Sequence, residues 1–352
     1  MTKRQTARKR QRLPTPQQFI VTFLAGLMLW GTFWLTESFT PARFPQADQP
    51  VELYANQLKD DLRELISSSV RNAEHSVLLV IYSLTDDKVI QSLRKKSEEG
   101  VSVRVICDAK ASPRVIQKLG GKVKLIRRFA AGLMHQKILV IDGLQVWIGS
   151  ANMTGESLRL HGNLITALYC PELAAMLTAK ANTMTEYDEG PVFPHREFLV
   201  GGQRMEMWLL PDDKTASKRI IQLIRSAEKT VRVAMFTWTR VDFANEIIEA
   251  RRRGVDVQVV IDYYSGKGAG AKVIQLLSNG GVPFQLSQGG GVLLHHKFLY
   301  IDSKILVNGS ANWTKAAFTK NDDCFIILHD LTSDQKRHLD NLWDVIMSET
   351  KK

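Results

Sequence analysis

The chain has 352 residues, of which 44% are hydrophobic and 24% are charged, a composition that allows a large core and argues against the disordered and fibrous classes. Its formal net charge of +11 is partly concentrated before Phe19, where six basic residues occur without an acidic one: Lys3, Arg4, Arg8, Lys9, Arg10 and Arg12. The rest of the chain is only mildly basic, so its charge permits a nucleic-acid partner without requiring one.

The first predicted element is an apolar helix, FIVTFLAGLMLWGTFWLT, from Phe19 to Thr36. Its 18 uncharged residues are close to the roughly 20 that a helix needs to cross a bilayer. Because the basic residues precede it, the positive-inside rule places residues 1–18 in the cytoplasm and the chain after Thr36 across the membrane. A cleaved signal peptide, which would give a secreted protein, is the alternative, but the stretch after the apolar run offers no clean small-x-small site. We expect an uncleaved single-pass signal-anchor over 19–36 and a Pro-rich tether over 37–50.

The remaining chain repeats itself. AEHSVLLVIYSL from Ala73 resembles AEKTVRVAMFTW from Ala227, at an offset of 154 residues. HQKILVIDGLQVWIGSAN from His135 resembles HHKFLYIDSKILVNGSAN from His295, at an offset of 160 residues. We therefore predict two similar halves, residues 51–198 and 203–350, which meet near HREFLVGGQR. The change of offset predicts an insertion in the loop around YYSGKGAG.

Helical and strand patterns alternate in both halves. The stretches LKDDLRELISSSVRNAE and DKVIQSLRKKSEEG in the first half, and TASKRIIQLIRSAE and VDFANEIIEARRRG in the second, each lead into an apolar strand pattern. Such continuous apolar runs are typical of strands covered on both faces. The predicted fold is α/β, with two similar α/β/α sandwich halves after the N-terminal transmembrane helix. The three cysteines lie far apart in apolar runs, which predicts buried thiols and neither a disulfide framework nor a metal site.

Each copy of the repeated motif carries a histidine and a lysine at strand spacing. His135 and Lys137 are two residues apart, as are His295 and Lys297, so each pair faces the same side of a strand. This combination suits a phosphate, because the ammonium binds the anionic oxygens while the imidazole acts at phosphorus or at the leaving oxygen. One half supplies one pair, whereas two facing halves supply a nucleophile and a separate proton donor.

The other motif positions are predicted to support the same phosphate. Four of them would add neutral hydrogen-bond donors to its oxygens: Ser150, Asn152, Ser310 and Asn312. Asp142 and Asp302 fall where a turn should join the two motif strands. We expect them to fix that turn, although they also belong to the candidate catalytic set.

The paired pattern His-x-Lys-x4-Asp-x6-Gly-Ser-x-Asn resembles the phospholipase D superfamily, and the repeat around it covers nearly all of the chain from about residue 51. The resemblance implies a phosphodiesterase that needs no metal and no cofactor, with one active site between the halves and no obligatory protein partner. It also implies that one histidine attacks phosphorus to form a phosphohistidine while the other protonates the leaving group and then activates water. Carried over from the family, the nucleophile is His135 and the acid and base is His295.

One position breaks the symmetry. Asp323 lies 28 residues after His295, whereas the residue 28 positions after His135 is Asn163. Family members often place a carboxylate there, hydrogen-bonded to a motif histidine, which fixes its tautomer and raises its basicity. We therefore predict that Asp323 orients a motif histidine. Because Asn163 carries no charge, the choice of nucleophile stays open, with a preference for His135.

Two substrates fit this chemistry. The predicted anchor favours a phospholipid and a bilayer partner, as do the apolar stretches FAAGLM and GGGVLL before the two histidines, unless these belong to the strand core. The stretch GSANWTKAAFTKN favours the alternative, a nuclease acting on DNA or RNA, since it resembles the compact nuclease-like members of the superfamily. Four aromatic residues could stack on bases or pack in the core: Trp238, Trp313, Tyr263 and Tyr264.

The residues just after the two motifs also narrow the reaction type. The Asp and Arg-Ser of the cardiolipin-synthase pattern are missing there, in NMTGES and NWTKAA, which argues against that transferase. We expect a membrane-anchored phospholipid hydrolase with its catalytic region outside the cytoplasm. An inactive membrane-tethered binding protein is the third hypothesis.

Overall fold

The computed structural model of the protein describes residues 44–188 and 190–350, together with Phe23. The predicted cytoplasmic tail, the predicted anchor and the first part of the predicted tether therefore lie outside the described residues. Among the described residues, every helix is too short or too polar to span a bilayer.

The first half begins with a strand and a short 3₁₀ turn, Asn56–Leu58. Its strands are β1 (Glu52–Ala55), β2 (Ser76–Ile81), β3 (Ser102–Asp108), β4 (Lys124–Arg128), β5 (Lys137–Ile141), β6 (Gln145–Gly149) and β7 (Leu164–Tyr169). Its helices are α1 (Leu62–Arg71), α2 (Asp87–Glu98), α3 (Val115–Leu119), α4 (Gly155–Arg159) and α5 (Pro171–Thr183).

The second half repeats these elements after an added strand. Its strands are β8 (Arg196–Val200), β9 (Gln203–Leu210), β10 (Thr230–Met235), β11 (Asp256–Ile261), β12 (Phe284–Leu286), β13 (Lys297–Ile301), β14 (Ile305–Gly309) and β15 (Asp323–Leu328). Its helices are α6 (Ala216–Arg225), α7 (Val241–Arg252), α8 (Tyr263–Lys267), α9 (Ala271–Asn279), α10 (Lys315–Thr319) and α11 (Ser333–Ser348). Helix α8 lies in the YYSGKGAG segment, where the insertion is predicted.

Each half contains one mixed sheet with the same strand order. The first sheet runs β1-β7-β6-β5-β2-β3-β4, and the second runs β12-β11-β10-β13-β14-β15-β9-β8. In both, three neighbouring strands are parallel and the motif strands form an antiparallel hairpin near the centre, β5 with β6 and β13 with β14. The prediction of two similar α/β halves is confirmed.

The boundary between the halves differs from the predicted one. Strand β8 pairs antiparallel with β9 across the turn at Gly201 and Gly202, so β8 belongs to the second sheet. The division therefore precedes Arg196 and does not fall between residues 198 and 203. The sequence patterns also predict neither β1 nor β9, the strands that flank β7 and β15 in the two sheets.

Alternate residues of the strands enter different cores. Val77, Leu79 and Ile81 of β2 pack with α1 and α2 in one hydrophobic cluster, whereas Leu78 and Val80 join another. That second cluster contains strands of both sheets together with α5 and α11, and β14 contacts β6 and β7 directly. The inner face of each sheet is thus partly covered by the other sheet, whereas the predicted α/β/α sandwiches have helices on both faces of each sheet. This packing brings the two motif hairpins together.

Candidate active site

The two motif histidines lie immediately before β5 and β13, and both are buried. Each is held by the backbone of the opposite half. The N–H of His135 donates to the carbonyl of Asp322 at 2.8 Å, and the N–H of His295 donates to the carbonyl of Gly162 at 2.9 Å. The structure therefore brings both motifs to one site between the halves, as the family resemblance implies.

The side chains of the histidines are also oriented across the halves. His135 Nδ1 lies 2.7 Å from Asp323 Oδ1, and His295 Nδ1 lies 3.0 Å from Asn163 Oδ1. The amide Nδ2 of Asn163 donates to the carbonyls of Ser157 and His161, so its Oδ1 faces the imidazole and accepts the Nδ1–H. With Nδ1 occupied in this way, Nε2 is the ring atom left for chemistry in both histidines.

The motif serines do not offer their hydroxyls to a phosphate. Both are fully buried. Ser150 donates to Asn163 Oδ1 at 2.8 Å, and Ser310 donates to Asp323 Oδ1 at 2.7 Å. The prediction that these two serines bind substrate oxygens is therefore corrected, because their protons are used to hold the residues that orient the histidines.

The motif lysines are fixed beside the imidazoles. Lys137 Nζ donates to the carbonyl of His135 at 2.6 Å, and Lys297 Nζ donates to the carbonyl of His295 at 2.7 Å. An ammonium has three donors and uses one of them in this bond. Both lysines are buried, so their remaining donors have little access to bulk water and would interact strongly with an anion.

An aromatic ring packs against each histidine and lysine pair. The ring of Tyr82 lies 5.2 Å from that of His135, and Lys137 Nζ lies 5.3 Å from the Tyr82 ring. In the second half, Phe236 takes the same place, 4.9 Å from His295 and 4.8 Å from Lys297 Nζ. Neither ring was among the sequence-predicted site residues, although their common position in the repeated IYSL and MFTW stretches is a signal that could have found them.

Two carboxylates outside the repeated motifs hold the segments before the histidines, and neither was predicted from the sequence. Asp108 Oδ2 accepts the N–H of Met134 at 3.3 Å, and Asp262 Oδ2 accepts the N–H of Leu294 at 3.1 Å. Asp108 is the last residue of β3, and Asp262 comes directly after β11. Both carboxylates thus lie at the end of a parallel strand, and each binds the residue that precedes a motif histidine.

The motif asparagines lie half-buried beside the site. The N–H of Thr237 donates to Asn312 Oδ1 at 3.2 Å, which leaves the amide Nδ2 of Asn312 as the donor for a ligand. The Oδ1 of Asn152 is buried and has no hydrogen-bond partner among the described residues. Phosphate binding by Asn152 and Asn312 stays a prediction.

The motif aspartates lie at the other end of the strands. The carboxylate of Asp142 accepts three backbone N–H groups, from Glu74, His75 and Ser76. That of Asp302 likewise accepts those of Glu228, Lys229 and Thr230. Since seven residues of extended chain separate Asp142 from His135, about 20 Å, Asp142 does not reach the site. Asp142 and Asp302 are therefore removed from the candidate catalytic set. The sequence predicts that they fix the turn between the motif strands, whereas their carboxylates bind the backbone of the segments that lead into β2 and β10.

Burial and crowded positive charge control protonation in the site. Burial lowers the pKa of His135, and the charge of Lys137 lowers it further. The pKa of His295 is held well below its usual value, first by burial and then by Lys297 and Lys137. Burial lowers the pKa of Lys137 to about 7, and burial together with the charge of Lys137 holds the pKa of Lys297 well below its usual value. The site without a ligand therefore disfavours its own cations, and an anion would restore them.

Asp323 remains ionised in this environment. Burial by itself would raise its pKa, but the charges of His135 and Lys137 and the hydrogen bonds from His135 and Ser310 lower the pKa overall. The Asp323 carboxylate thus faces Nδ1 of His135, so Nε2 is the ring nitrogen whose lone pair can attack when the imidazole is neutral.

Two of the four aromatic residues proposed to stack on bases are part of the core. Trp238 and Trp313 are buried and pack edge to face, with their ring centroids 4.5 Å apart. Tyr264 is exposed. The structure therefore removes two of the four rings that the nuclease hypothesis would use for stacking, and leaves Tyr264 exposed and Tyr263 half-buried.

Comparison with known proteins supports the resemblance drawn from the motifs. The family model described as "Cardiolipin synthase, PLD-like domain" matches residues 66–185 and 220–343, once in each half. The mitochondrial cardiolipin hydrolase of Chlamydomonas reinhardtii is 30% identical over 133 residues, which are 37% of this chain and 59% of the hydrolase. Cardiolipin synthase 1 of Staphylococcus aureus (strain COL) is 23% identical over 311 residues, which cover 77% of this chain and 62% of the synthase. The chain thus spans less than two thirds of either relative.

A solved structure agrees with the fold. The phosphatidylserine synthase of Haemophilus influenzae Rd KW20 matches with a TM-score of 0.66, over 88% of each chain and at 12% identity. A likeness at this identity concerns the fold alone. The two matches to the family model cover more than half of the sequence, and this chain belongs to the phospholipase D superfamily.

Proposed function

We propose that this chain is a membrane-anchored phosphodiesterase of the phospholipase D type, which hydrolyses phospholipid head-group phosphodiesters through a phosphohistidine. The observation that carries the proposal is the pairing of two buried imidazoles, each with its Nδ1 held by the opposite half, with two ammonium groups in one site. This arrangement provides a nucleophile, a proton donor and anion binding within a single chain.

In the first step, Nε2 of His135 attacks phosphorus. A bond between nitrogen and phosphorus forms, the bond from phosphorus to the leaving alcohol oxygen breaks, and His295 donates a proton to that oxygen. The ionised Asp323 stabilises the positive charge that develops on His135. Lys137 and Lys297 stabilise the negative charge on the phosphoryl oxygens.

In the second step, His295 acts as the base. It takes a proton from water, the water oxygen bonds to phosphorus, and the bond between phosphorus and His135 breaks. The products are a phosphate monoester and free enzyme. The side chains assigned to these steps are two imidazoles, two ammonium groups and one carboxylate. Together they supply the nucleophile, the proton donor and the anion binding, so we propose that neither a metal nor a cofactor takes part.

The choice of phospholipid as substrate draws on the relatives and on the sequence. The names of the hydrolase and the synthase that resemble this chain refer to cardiolipin, a phospholipid. The apolar segment 19–36 would anchor the catalytic region next to a bilayer outside the cytoplasm, or release it as a secreted protein if the segment is cleaved. Sodium carbonate extraction of cell membranes, with N-terminal sequencing of the mature protein, tests this placement.

The substrate is tested with the full-length protein in detergent and a chelator present. It is offered phospholipid vesicles, single-stranded DNA, duplex DNA and RNA in separate reactions. We expect release of the lipid head group and no cleavage of nucleic acid. Cleavage of nucleic acid with intact lipid would establish the nuclease alternative, whereas loss of all activity under chelation would contradict the proposed mechanism.

The roles of the two histidines are tested by trapping the covalent intermediate. We expect His295→Asn to accumulate a phosphoenzyme and His135→Asn to form none. The exposed His75, which lies outside the site, supplies the matched control, since His75→Asn should turn over as the unchanged protein does. A phosphoenzyme in the His135→Asn variant alone would reverse the assignment.

A further inference from the structure

The apolar residues that precede the two histidines are divided between core and surface. The residues directly next to the histidines, Met134 and Leu294, are buried. Phe129, Leu133 and Val292 are instead 44%, 43% and 49% exposed. The stretches FAAGLM and GGGVLL therefore belong only partly to the core, and each places exposed apolar side chains within a few residues of the active site.

The first of these segments is tied to the opposite half. The N–H of Leu133 donates to Asn321 Oδ1 at 3.1 Å. Gly132 lies so close to the backbone of Lys320 that a Cβ would approach the Lys320 carbonyl oxygen to 1.9 Å. The Phe129 ring lies 5.5 Å from the guanidinium of Arg127. The exposed side chains of this segment are thus held in place, with basic residues on both sides.

The second segment is supported in a related way. The N–H of Gly162 donates to the carbonyl of Leu293 at 2.9 Å, and the exposed Leu160 lies two residues before Gly162 in the chain. The N–H of Gly290 donates to the hydroxyl of Tyr264 at 3.2 Å. The two segments occupy corresponding places in the two halves, so exposed apolar groups stand on both sides of the site. We call this set the rim: Phe129, Leu133, Leu160, Tyr264 and Val292.

The surroundings of the rim are mainly basic. The segments that form or contact it carry these basic side chains: Lys110, Arg114, Arg127, Arg159, Lys267, Lys315 and Lys320. They carry fewer exposed acidic ones, Glu156, Glu186 and Asp188, since Asp108, Asp262, Asp322 and Asp323 are buried. Within the described part of the chain, Lys110 and Lys320 form no ion pair with an acidic residue. The rim therefore combines apolar tips with uncompensated positive charge.

We propose that the rim docks on the surface of an anionic lipid bilayer and seats the mouth of the active site against the head groups. The inference rests on the proposed function and adds that the phospholipid is bound while it is part of a bilayer. A surface of this kind binds a bilayer in two ways, by inserting apolar side chains among the acyl chains and by attracting anionic head groups. Three of the five rim residues, Leu133, Leu160 and Val292, are aliphatic and offer little to a nucleic acid, whose bases are bound by aromatic stacking, whereas all five can insert among acyl chains.

The test measures insertion independently of catalysis. Full-length His135→Asn protein, which consumes no lipid, receives a cysteine in place of Leu133 or Val292 and is labelled with an environment-sensitive dye. The native cysteines Cys107, Cys170 and Cys324 are all buried, so labelling is directed to the new thiol. Leu144 supplies the control, because it is also an exposed leucine but lies in the turn next to Asp142, at the far end of β5.

The labelled proteins are reconstituted in nanodiscs of phosphatidylcholine alone or mixed with phosphatidylglycerol. Dyes at 133 and 292 should shift to the blue and be quenched by brominated acyl chains, more strongly with phosphatidylglycerol, while the dye at 144 should not respond. An equal response at all three positions would overturn the proposal. So would a response to single-stranded DNA without one to lipid.

Activity separates this proposal from the proposed function. In the otherwise unchanged protein, Leu133→Glu combined with Val292→Glu should lower cleavage of bilayer phospholipid by about tenfold or more relative to Leu144→Glu. Insertion of the dyes without cleavage of any phosphodiester would contradict the proposed function and leave the rim as inferred. Bilayer cleavage that the double substitution does not change would contradict the rim alone.

Discussion

His135 and Asp323 are joined by a hydrogen bond of 2.7 Å between Nδ1 and Oδ1, although they belong to different halves of the chain. The equivalent bond of His295 runs to the uncharged Asn163. The two imidazoles therefore have similar geometry, but the oxygen that accepts from Nδ1 is charged in one case and neutral in the other. A carboxylate stabilises the cationic form that His135 reaches when it bonds to phosphorus, whereas an amide leaves His295 readier to release its proton.

The first prediction concerns this carboxylate. Asp323→Asn should slow formation of the phosphoenzyme by about 10²-fold or more, because the charge on His135 is no longer compensated and its tautomer is no longer fixed. Asn163→Asp, the matched change on the other histidine, should have a much smaller effect on this step. Single-turnover measurements with a chromogenic phosphodiester monitor the step directly. Accumulation of phosphoenzyme in Asp323→Asn would show that Asp323 supports its hydrolysis and not its formation.

The second prediction concerns protons. At pH 8, Lys137, whose pKa burial lowers to about 7, is mostly uncharged without a ligand. A bound anion raises the pKa of a neighbouring cationic group, so binding of tungstate should take up at least one proton, and its affinity should fall as the pH rises. Calorimetric titration in buffers of different ionisation enthalpy measures the uptake. Lys137→Met should lower the uptake, whereas proton release by the unchanged protein would contradict the assignment.

The third prediction separates the motif aspartates from the chemistry. Asp142→Ala removes a carboxylate that accepts three backbone N–H groups. It should lower the free energy of unfolding by about 2 kcal/mol while changing kcat by less than about threefold. Urea unfolding and kinetics on the same preparation give both values. A loss of kcat comparable to that of His135→Asn, with stability unchanged, would return Asp142 to the catalytic set.

The fourth prediction concerns the junction of the halves. Lys180 of α5 forms a buried ion pair of 2.7 Å with Asp212, which lies just after β9. Lys180→Met should lower the free energy of unfolding by about 3–5 kcal/mol, because a buried carboxylate loses its counter-ion. Lys180→Met with Asp212→Leu should be less destabilised than the single change. Arg337→Met, in an exposed ion pair, should cost about 0.5 kcal/mol or less in the same urea titration.

The parts of this protein that depend on local pattern could be predicted. The motif spacing identified His135 and His295 as partners in one site, and the duplicated helical and strand patterns indicated two α/β halves. These properties depend on residues near in sequence or on an offset that can be read directly. They do not require knowledge of how the halves pack.

The parts that depend on packing could not be predicted. The positions of Asp323 and Asn163 suggested a histidine partner, but the docking of the sheets decides that each partner serves the histidine of the other half. The hydroxyl of Ser310 turns toward Asp323 because it lies inside that junction. Likewise, the apolar residue types in FAAGLM do not indicate that Phe129 is exposed while Met134 is buried, because burial in this stretch depends on packing against the opposite half.

The crossing of the histidine partners has a consequence for the ancestry of the chain. In a dimer of two identical subunits, both histidines of the site would have the same kind of partner, either two carboxylates or two amides. One carboxylate and one amide require two copies that can mutate separately. The difference between Asp323 and Asn163 is therefore a specialisation open to a fused duplication and closed to a symmetric dimer of identical chains.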